Sequence, residues 1–134
     1  MKRTVFDCKQ WIVDALRTAG VHNAISGKIS KDKRQTGSTK EDIVVNSITL
    51  NNEYLQNGVF NVNIYVPALS FKVDGIVQTQ KNDTRLKVIA DLVTIALDDI
   101  WKEEYNMTIE NQQEVEQGEE SYFNIRVMLN AYPN

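Results

Sequence analysis

Gly58-Val-Phe-Asn-Val-Asn-Ile-Tyr-Val66 decides the fold, because apolar and polar side chains alternate along it. A strand places the two kinds of side chain on opposite faces: Phe60, Val62, Ile64 and Val66 on one, and Asn61, Asn63 and Tyr65 on the other. Pro67 is expected to end the strand, since proline has no N–H for the ladder. A strand with one apolar face is typical of an antiparallel sheet that is covered on one side only.

Similar patterns on both sides of this stretch predict further strands. Asp42 to Leu50 is predicted as a strand, and Ala24 to Ser30 is short and compatible with one. Tyr105 to Glu116 and Glu119 to Tyr132 are predicted as a closing hairpin with Gln117-Gly118 at its tip. In the last strand an apolar set is expected to point inward: Phe123, Ile125, Val127, Leu129 and Ala131. The alternate set is expected to point outward: Tyr122, Asn124, Arg126, Met128 and Asn130.

Two helices are predicted to cover the sheet. The first runs from Thr4, which is a good N-cap residue with Asp7 three positions later, to Ala19. The second runs from Asp83 to Glu104. Three apolar residues lie off its main apolar stripe, Val88, Leu92 and Ile95, and they indicate that the helix is buried from two sides. The sheet covers one side, and either the first helix or a neighbouring subunit covers the other; we favour burial within the chain.

These elements predict an α+β fold in one domain, residues 1–134. The expected architecture is a two-layer sandwich, a mostly antiparallel sheet flanked by two helices, in the order α-β-β-β-α-β-β. Lys31 to Lys40 has no large apolar side chain, so we expect a mobile, solvated loop. Ala68 to Asn82 is expected to be an irregular connection that packs down or adds a short edge strand.

The composition favours a folded domain and disfavours several functions. With 42% hydrophobic residues, 25% charged residues and a net charge of −3, the chain lacks the basic character of proteins that coat nucleic acid. We therefore expect no sequence-specific nucleic-acid binding. The sequence shows no signal peptide and no membrane-spanning run, so we expect no membrane partner. Cys8 is the single cysteine, which suits a reducing compartment.

The chemistry-bearing residues favour no catalytic, cofactor or metal site. His22 has no potential ligand near it in sequence, and Cys8 lies on the apolar stripe of the first helix. Gly37-Ser-Thr-Lys40 lacks the spacing of a phosphate-binding loop. Three function classes stay open: a structural protein, a protein-binding module and, least favoured, a small enzyme.

Charge is separated along the chain, which suggests contacts between copies. The candidate basic residues at a subunit interface are Lys31, Lys33, Arg34 and Lys40. The candidate acidic residues are Glu114, Glu116, Glu119 and Glu120. Docking of one set on the other would be heterologous, closing into a ring or growing into a filament. The alternative is that both sets are ordinary solvated surface.

The outward sheet face supplies a second set of candidates for contact. Its members are polar and nearly uncharged: Asn61, Asn63, Tyr65, Asn124 and Arg126. Such a face is either simply solvated, or it lines a lumen or meets a partner through hydrogen bonds.

The order of these segments resembles the tail terminator and tail completion (head-tail joining) proteins of long-tailed bacteriophages and prophages. The likeness covers nearly the whole chain, including the late helix and the final hairpin. It is carried by Thr4 to Ala19, Lys31 to Lys40, Glu41-Asp-Ile-Val-Val-Asn-Ser-Ile-Thr-Leu50 and Asn61-Val-Asn-Ile-Tyr-Val-Pro67.

The resemblance implies a mixed α+β virion protein without catalysis or cofactor. Such a protein forms a ring, usually a hexamer, that caps the tail tube and meets the head connector. Its expected partners are therefore copies of itself, tail tube proteins and head connector proteins. Its expected location is the virion, and the host bacterial cytoplasm during assembly. The alternatives are another minor head-tail connector subunit or a non-catalytic cytoplasmic protein-binding module.

Overall fold

The computed structural model describes residues 2–117 and 120–133 and shows a mixed α+β fold. The helices of the described residues are α1 (Val5–Thr18), α2 (Val21–Ala24) and α3 (Asp83–Leu97). The strands are β1 (Ile29–Lys31), β2 (Asp42–Leu50), β3 (Gln56–Tyr65), β4 (Leu69–Val73), β5 (Ile76–Gln80), β6 (Ile100–Trp101), β7 (Tyr105–Gln117) and β8 (Glu120–Ala131). The hairpin tip predicted at Gln117-Gly118 lies partly outside the described residues.

Six of the strands form one sheet in the order β1-β2-β3-β8-β7-β6. All pairings are antiparallel except that between β1 and β2, which is parallel. Val62 on β3 lies opposite Val45 on β2 and Ile125 on β8, and all three side chains are buried. The alternation along β3 and β8 is confirmed, because the inward apolar residues of both strands belong to one contiguous core.

Helix α1 begins where the sequence predicts. The Thr4 hydroxyl accepts a hydrogen bond from the Asp7 N–H, and the Thr4 N–H donates to the Asp7 carboxylate, which completes a capping box. Ile12 and Leu16 on its inner face are fully buried. On the same helix Trp11 stacks on Tyr105 of β7, with ring centroids 4.5 Å apart, so α1 is fixed against the sheet.

Helix α3 ends seven residues before the predicted boundary at Glu104, which corrects that prediction. The Asp98 carboxylate accepts hydrogen bonds from the Ile109 N–H and the Thr108 hydroxyl, both at 2.9 Å. Asp99 then adopts a left-handed conformation with φ of 54°, which turns the chain into β6. Within the described residues, no helix has the length and apolar character needed to cross a membrane.

We predicted that Val88, Leu92 and Ile95 of α3 are buried within the chain, and this prediction is wrong for two of the three. Leu92 is half-buried against the core, but the side chains of Val88 and Ile95 are 45% and 75% exposed. The side chains of Val88 and Ile95 therefore face solvent in the single chain, although α1 and α3 are in contact.

The connection between β3 and α3 also differs from the prediction. It forms a separate two-stranded sheet, β4–β5, which neither packs onto the core nor joins the six-stranded sheet. The predicted order α-β-β-β-α-β-β therefore omits α2, this hairpin and β6. Residues 24–30 were considered as a strand, but the structure differs. Ala24 is the last residue of α2, and β1 begins only at Ile29.

Candidate functional site

The loop from Lys31 to Lys40 is largely exposed, but it is tied to β2 through the carboxylate of Asp42. The Ser38 hydroxyl donates to this carboxylate at 2.5 Å, the Lys28 N–H at 2.9 Å and the Arg34 Nε at 3.1 Å. At its other end, Asp32 pairs with the buried Lys9 at 3.0 Å. The loop that we expected to be mobile is therefore held at both ends.

Burial of the Asp42 carboxyl would raise its pKa, but the hydrogen bonds from Ser38, Lys28 and Arg34 outweigh burial and hold its pKa below the usual 3.8. Beside it, hydrogen bonds from Arg85 lower the pKa of Glu41. Both carboxyls therefore stabilise the fold in their charged form.

A first prediction concerns the stability of the fold at low pH. A group whose pKa is lower when folded stabilises the fold above its unfolded pKa, and that contribution is lost as the pH falls through the folded value. The free energy of unfolding should therefore fall from about pH 4 downward. In urea titrations across pH, Asp42→Asn should be less stable at pH 7 and show a weaker loss below pH 4. Equal acid losses in both proteins would contradict the role of Asp42.

Arg34, a predicted interface residue, serves contacts within its own chain. Its guanidinium lies 4.4 Å from the centroid of the Tyr65 ring and donates to the Lys40 carbonyl at 3.0 Å. Of the other three basic candidates, Lys31 donates to Gln10 on α1, while Lys33 and Lys40 have exposed side chains. The basic set is thus divided between anchoring and solvent-facing residues.

Two of the acidic candidates lie near basic residues of the same chain. Glu114 pairs with Lys81 at 2.5 Å, and the exposed Glu116 borders a cleft of about 780 Å³ together with Arg34 and Lys81. Glu119 and the Glu120 side chain lie outside the described residues. Docking of the two sets between copies stays a prediction, while Arg34 and Glu116 already share a cleft.

The outward sheet face brings its five predicted contact residues together on β3 and β8. Asn124 donates to Asn63 at 2.7 Å and to Asn61 at 3.1 Å, and Asn61 donates to Asn46 on β2 at 2.9 Å. Asn63 and Asn124 are buried, and the Tyr65 ring lies 5.0 Å from that of Tyr122 at the end of the row. A ladder of amides thus crosses three strands.

Arg126 lies in this amide ladder without a partner. Its register neighbours are Asn61 and Asn111, and among the described residues its guanidinium has no hydrogen bond or ion pair. Its Nε is enclosed and unsatisfied, and so is the Oδ1 of Asn124 two residues earlier on the same face. A half-buried guanidinium of this kind suits the carboxylate of a partner, which it can bind through two parallel hydrogen bonds.

A second prediction tests whether Arg126 stabilises the isolated chain. Arg126→Met keeps the aliphatic stem and removes a charge that no described residue compensates. We expect the midpoint of thermal unfolding to stay within about 2 °C of wild type or to rise. Asn124→Ala, which breaks the amide ladder, should lower it. A fall of several degrees for Arg126→Met would show instead that Arg126 holds the sheet together.

The β4–β5 hairpin is exposed at every position, although one of its faces is mainly apolar. The register places Leu69, Phe71, Val73 and Ile76 on that face, with exposed fractions of 48%, 44%, 48% and 63%, together with Gln78 and Gln80. The opposite face carries Ser70, Lys72, Val77 and Thr79. A two-stranded hairpin is marginally stable alone in water, and an exposed, mainly apolar face is a type of surface that proteins use for contacts.

A shallow groove lies between the carboxyl-terminal half of α1 and the end of α3. It holds about 280 Å³, and its lining includes the small or aliphatic side chains Ala15, Ala19, Ile95, Ala96 and Ile100 together with Asp14, Thr18, Lys102 and Tyr105. Ile95 is exposed, and Val88 lies two turns earlier on the same side of α3. The groove is therefore a mixed polar and apolar surface beside the part of α3 that the chain leaves uncovered.

The single cysteine, Cys8, lies in the core. Burial raises the pKa of the Cys8 thiol to about 12, so this cysteine behaves as a small core residue, as predicted. In residues 2–117 and 120–133, no cluster of three His, Cys, Asp or Glu side chains has the arrangement of a metal site.

Two comparisons with known proteins found no match. No known protein family matches the sequence, and no curated protein is significantly similar to it. The fold and the surfaces described above therefore carry the functional argument.

Sequence reasoning missed the hairpin and the groove. The signal for the hairpin was present, because Leu69, Phe71 and Val73 alternate and are followed by Asp74-Gly75, a favoured turn pair. Both turn residues have positive φ, of 51° and 77°. The groove had no comparable signal, since it depends on where α3 ends.

Proposed function

We propose that this protein is a structural subunit of a long-tailed bacteriophage or prophage, of the tail terminator or tail completion type. One observation supports self-association above all others, which is the exposed β4–β5 hairpin with its uncovered and mainly apolar face. A subunit that acts by contact area needs such a surface, and a chain that worked alone would gain nothing from exposing it.

The assembled form that we propose is a ring, a hexamer in the particle, that caps the tail tube and meets the head connector. Its subunits have a two-layer arrangement, with helices on one face of the sheet and the amide ladder on the other. The helical side and the hairpin then serve contacts between copies, and the amide ladder is left for another virion protein. Assembly takes place in the host cytoplasm, and the ring stays in the virion.

Sedimentation of the purified chain, combined with negative-stain electron microscopy, tests this proposal. Wild type should shift from monomer to a closed oligomer with a central opening as the concentration rises from about 1 μM to 1 mM. Because the proposed contact is apolar, 0.5 M NaCl should not dissociate the oligomer, whereas the salt would weaken a contact made by surface charges.

The matched controls lie on the two faces of the hairpin. Phe71→Asp on the apolar face should keep the chain monomeric, and Lys72→Ser on the polar face should leave association unchanged. A wild-type chain that stays monomeric at every concentration, alone and with isolated tail tubes, would refute the proposal.

A protein-binding module is the second candidate, and it is favoured by the unpaired guanidinium of Arg126. In that case the chain stays monomeric and binds an acidic segment on the amide ladder. Arg126→Lys should then weaken binding, because an ammonium cannot make the two parallel hydrogen bonds of a guanidinium.

A further inference from the structure

We infer that the outward sheet face around the amide ladder binds an extended segment of a partner protein, in which an acidic residue and an apolar residue stand two positions apart. The acidic side chain binds the guanidinium of Arg126, and the apolar side chain contacts Val59 and Met128. The inference rests on the functions proposed above, both of which leave the amide ladder to another protein, and it names the chemistry of that protein.

Arg126 provides an anion site that is prepared before a partner arrives. Among the described residues its guanidinium has no hydrogen bond or ion pair, and of its three nitrogens only Nε is enclosed. The two terminal nitrogens are therefore open to a ligand, while the charge is already partly removed from water. A carboxylate that binds these nitrogens makes two charge-assisted hydrogen bonds and compensates the charge.

The surroundings of Arg126 favour a protein carboxylate over the phosphates of a nucleic acid. Its register neighbours Asn61 and Asn111, and Asn124 two residues earlier on the same face, are uncharged. Within the described part of the chain, Glu110 at the bulge of β7 forms no ion pair with it. A nucleic acid requires several basic residues in a row, whereas the ladder offers one guanidinium and the chain has a net charge of −3. One guanidinium matches one carboxylate.

Two exposed amides on β7 suit the backbone of an extended segment. Asn111 lies opposite Arg126 and Gln113 lies opposite Asn124, and neither amide has a hydrogen bond among the described residues. A primary amide both donates and accepts, so these side chains can bind the N–H and C=O groups of a peptide. This favours an extended segment over a helix, in which most backbone groups are already paired.

The spacing between the acidic and the apolar residue of the segment follows from the strand. Met128 follows Arg126 by two residues on the same face of β8, and Val59 on β3 lies opposite Met128. Both apolar side chains are half-buried and form a small contact surface beside the charge. Two residues of a strand advance by about 7 Å, and alternate side chains project to one side. A segment that runs along β8 with its acid on Arg126 therefore places an apolar residue two positions away on Met128 and Val59.

A peptide titration followed by NMR tests this arrangement on the full, isotope-labelled chain. The probe is acetyl-SLSDSLS-amide, which carries leucine two positions from the aspartate on both sides and so fits either chain direction. We expect the Nε–H signal of Arg126 to shift, with a dissociation constant of about 0.1–1 mM for so short a probe. Acetyl-SLSNSLS-amide lacks the carboxylate, and acetyl-SSLDLSS-amide turns both leucines to the other side, so each should bind at least about fivefold more weakly.

Variants of the chain separate the two contacts. Arg126→Met should weaken binding of the probe at least about tenfold, because both charge-assisted hydrogen bonds are lost. Met128→Gln should weaken it about threefold and keep the difference between the aspartate and asparagine peptides. Lys72→Met removes the same charge from the β4–β5 hairpin and should leave binding unchanged. Thermal unfolding checks each fold, and Arg126→Lys replaces Arg126→Met where that variant is unstable.

Each outcome supports or overturns the inference. Binding that depends on the aspartate, on the leucine spacing and on Arg126 supports it. It is overturned by the absence of a shift up to about 5 mM probe, by binding that Arg126→Met leaves unchanged, or by equal binding of the peptide with displaced leucines. A shift caused by a DNA duplex of about 20 base pairs, and not by the probe, would assign the site to phosphate and also overturn it. The proposed ring is decided by sedimentation alone, so its failure is distinguishable from failure of this site.

Discussion

Phe60→Ala is expected to lower the free energy of unfolding by about 3–5 kcal/mol, one of the largest effects of any single substitution in this chain. Phe60 is the largest side chain among those that are fully buried. It lies on β3 between Ser47 of β2 and Val127 of β8, so its removal opens a cavity at the centre of the sheet. Because a domain is stabilised by only about 5–15 kcal/mol, the variant should lose about 10 °C or more in thermal unfolding.

The matched control is Phe6→Ala, because this phenylalanine on α1 is 70% exposed and its removal leaves no cavity. Its unfolding free energy should change by about 0.5 kcal/mol or less. Urea titration of both variants measures the difference. Similar losses for the two would contradict the placement of Phe60 in the core. The Phe60 variant should also loosen the amide ladder, since Asn61 is its neighbour on β3.

The elements that could be predicted from the sequence are those whose signal is local. The alternation along β3 and β8 places every second side chain in the core, and only one register buries the apolar set. The start of α1 is equally local, because Thr4 and Asp7 satisfy each other's backbone groups.

Other elements depend on contacts that the sequence does not show. The end of α3 is set by hydrogen bonds from Thr108 and Ile109 to Asp98, and those residues belong to a different strand. Periodicity continued past that point, so the helix was predicted seven residues too long. Burial of Val88 and Ile95 within the chain was a reasonable expectation for an apolar pair, and it is wrong because the described residues leave both side chains exposed.

The candidate surfaces also differ in whether a local sequence signal defines them. The residues of the outward sheet face follow from strand alternation alone, and the structure brings all five together. The charged sets were defined by composition, which cannot distinguish a lysine in solvent from an arginine bound to Asp42 and Tyr65. The hairpin was missed because an exposed apolar face contradicts the assumption that each chain buries its own apolar residues.

Gly27→Ala is expected to lower the free energy of unfolding by about 3 kcal/mol or more, because the substitution overfills a tight contact. A Cβ atom at residue 27 would lie 2.1 Å from the Asp42 Oδ1 and 2.2 Å from the Glu41 carbonyl oxygen. The Gly27 N–H also donates to that carbonyl at 2.8 Å, so the backbone cannot move away without losing a hydrogen bond. Displacement of Asp42 would in turn release Arg34 and the loop from Lys31 to Lys40.

The control for Gly27→Ala is Gly37→Ala in the same loop. Gly37 has a φ of 75° and open space around its Cβ position, so alanine should cost only about 1 kcal/mol of backbone strain there. Urea titration compares the stabilities, and proteolysis after the lysines of the loop compares its anchoring. We expect rapid cleavage in the Gly27 variant and near wild-type protection in the Gly37 variant. Equal protection in the two would show that the contact of Gly27 with Asp42 does not hold the loop, and that its order comes from Arg34 on the Tyr65 ring instead.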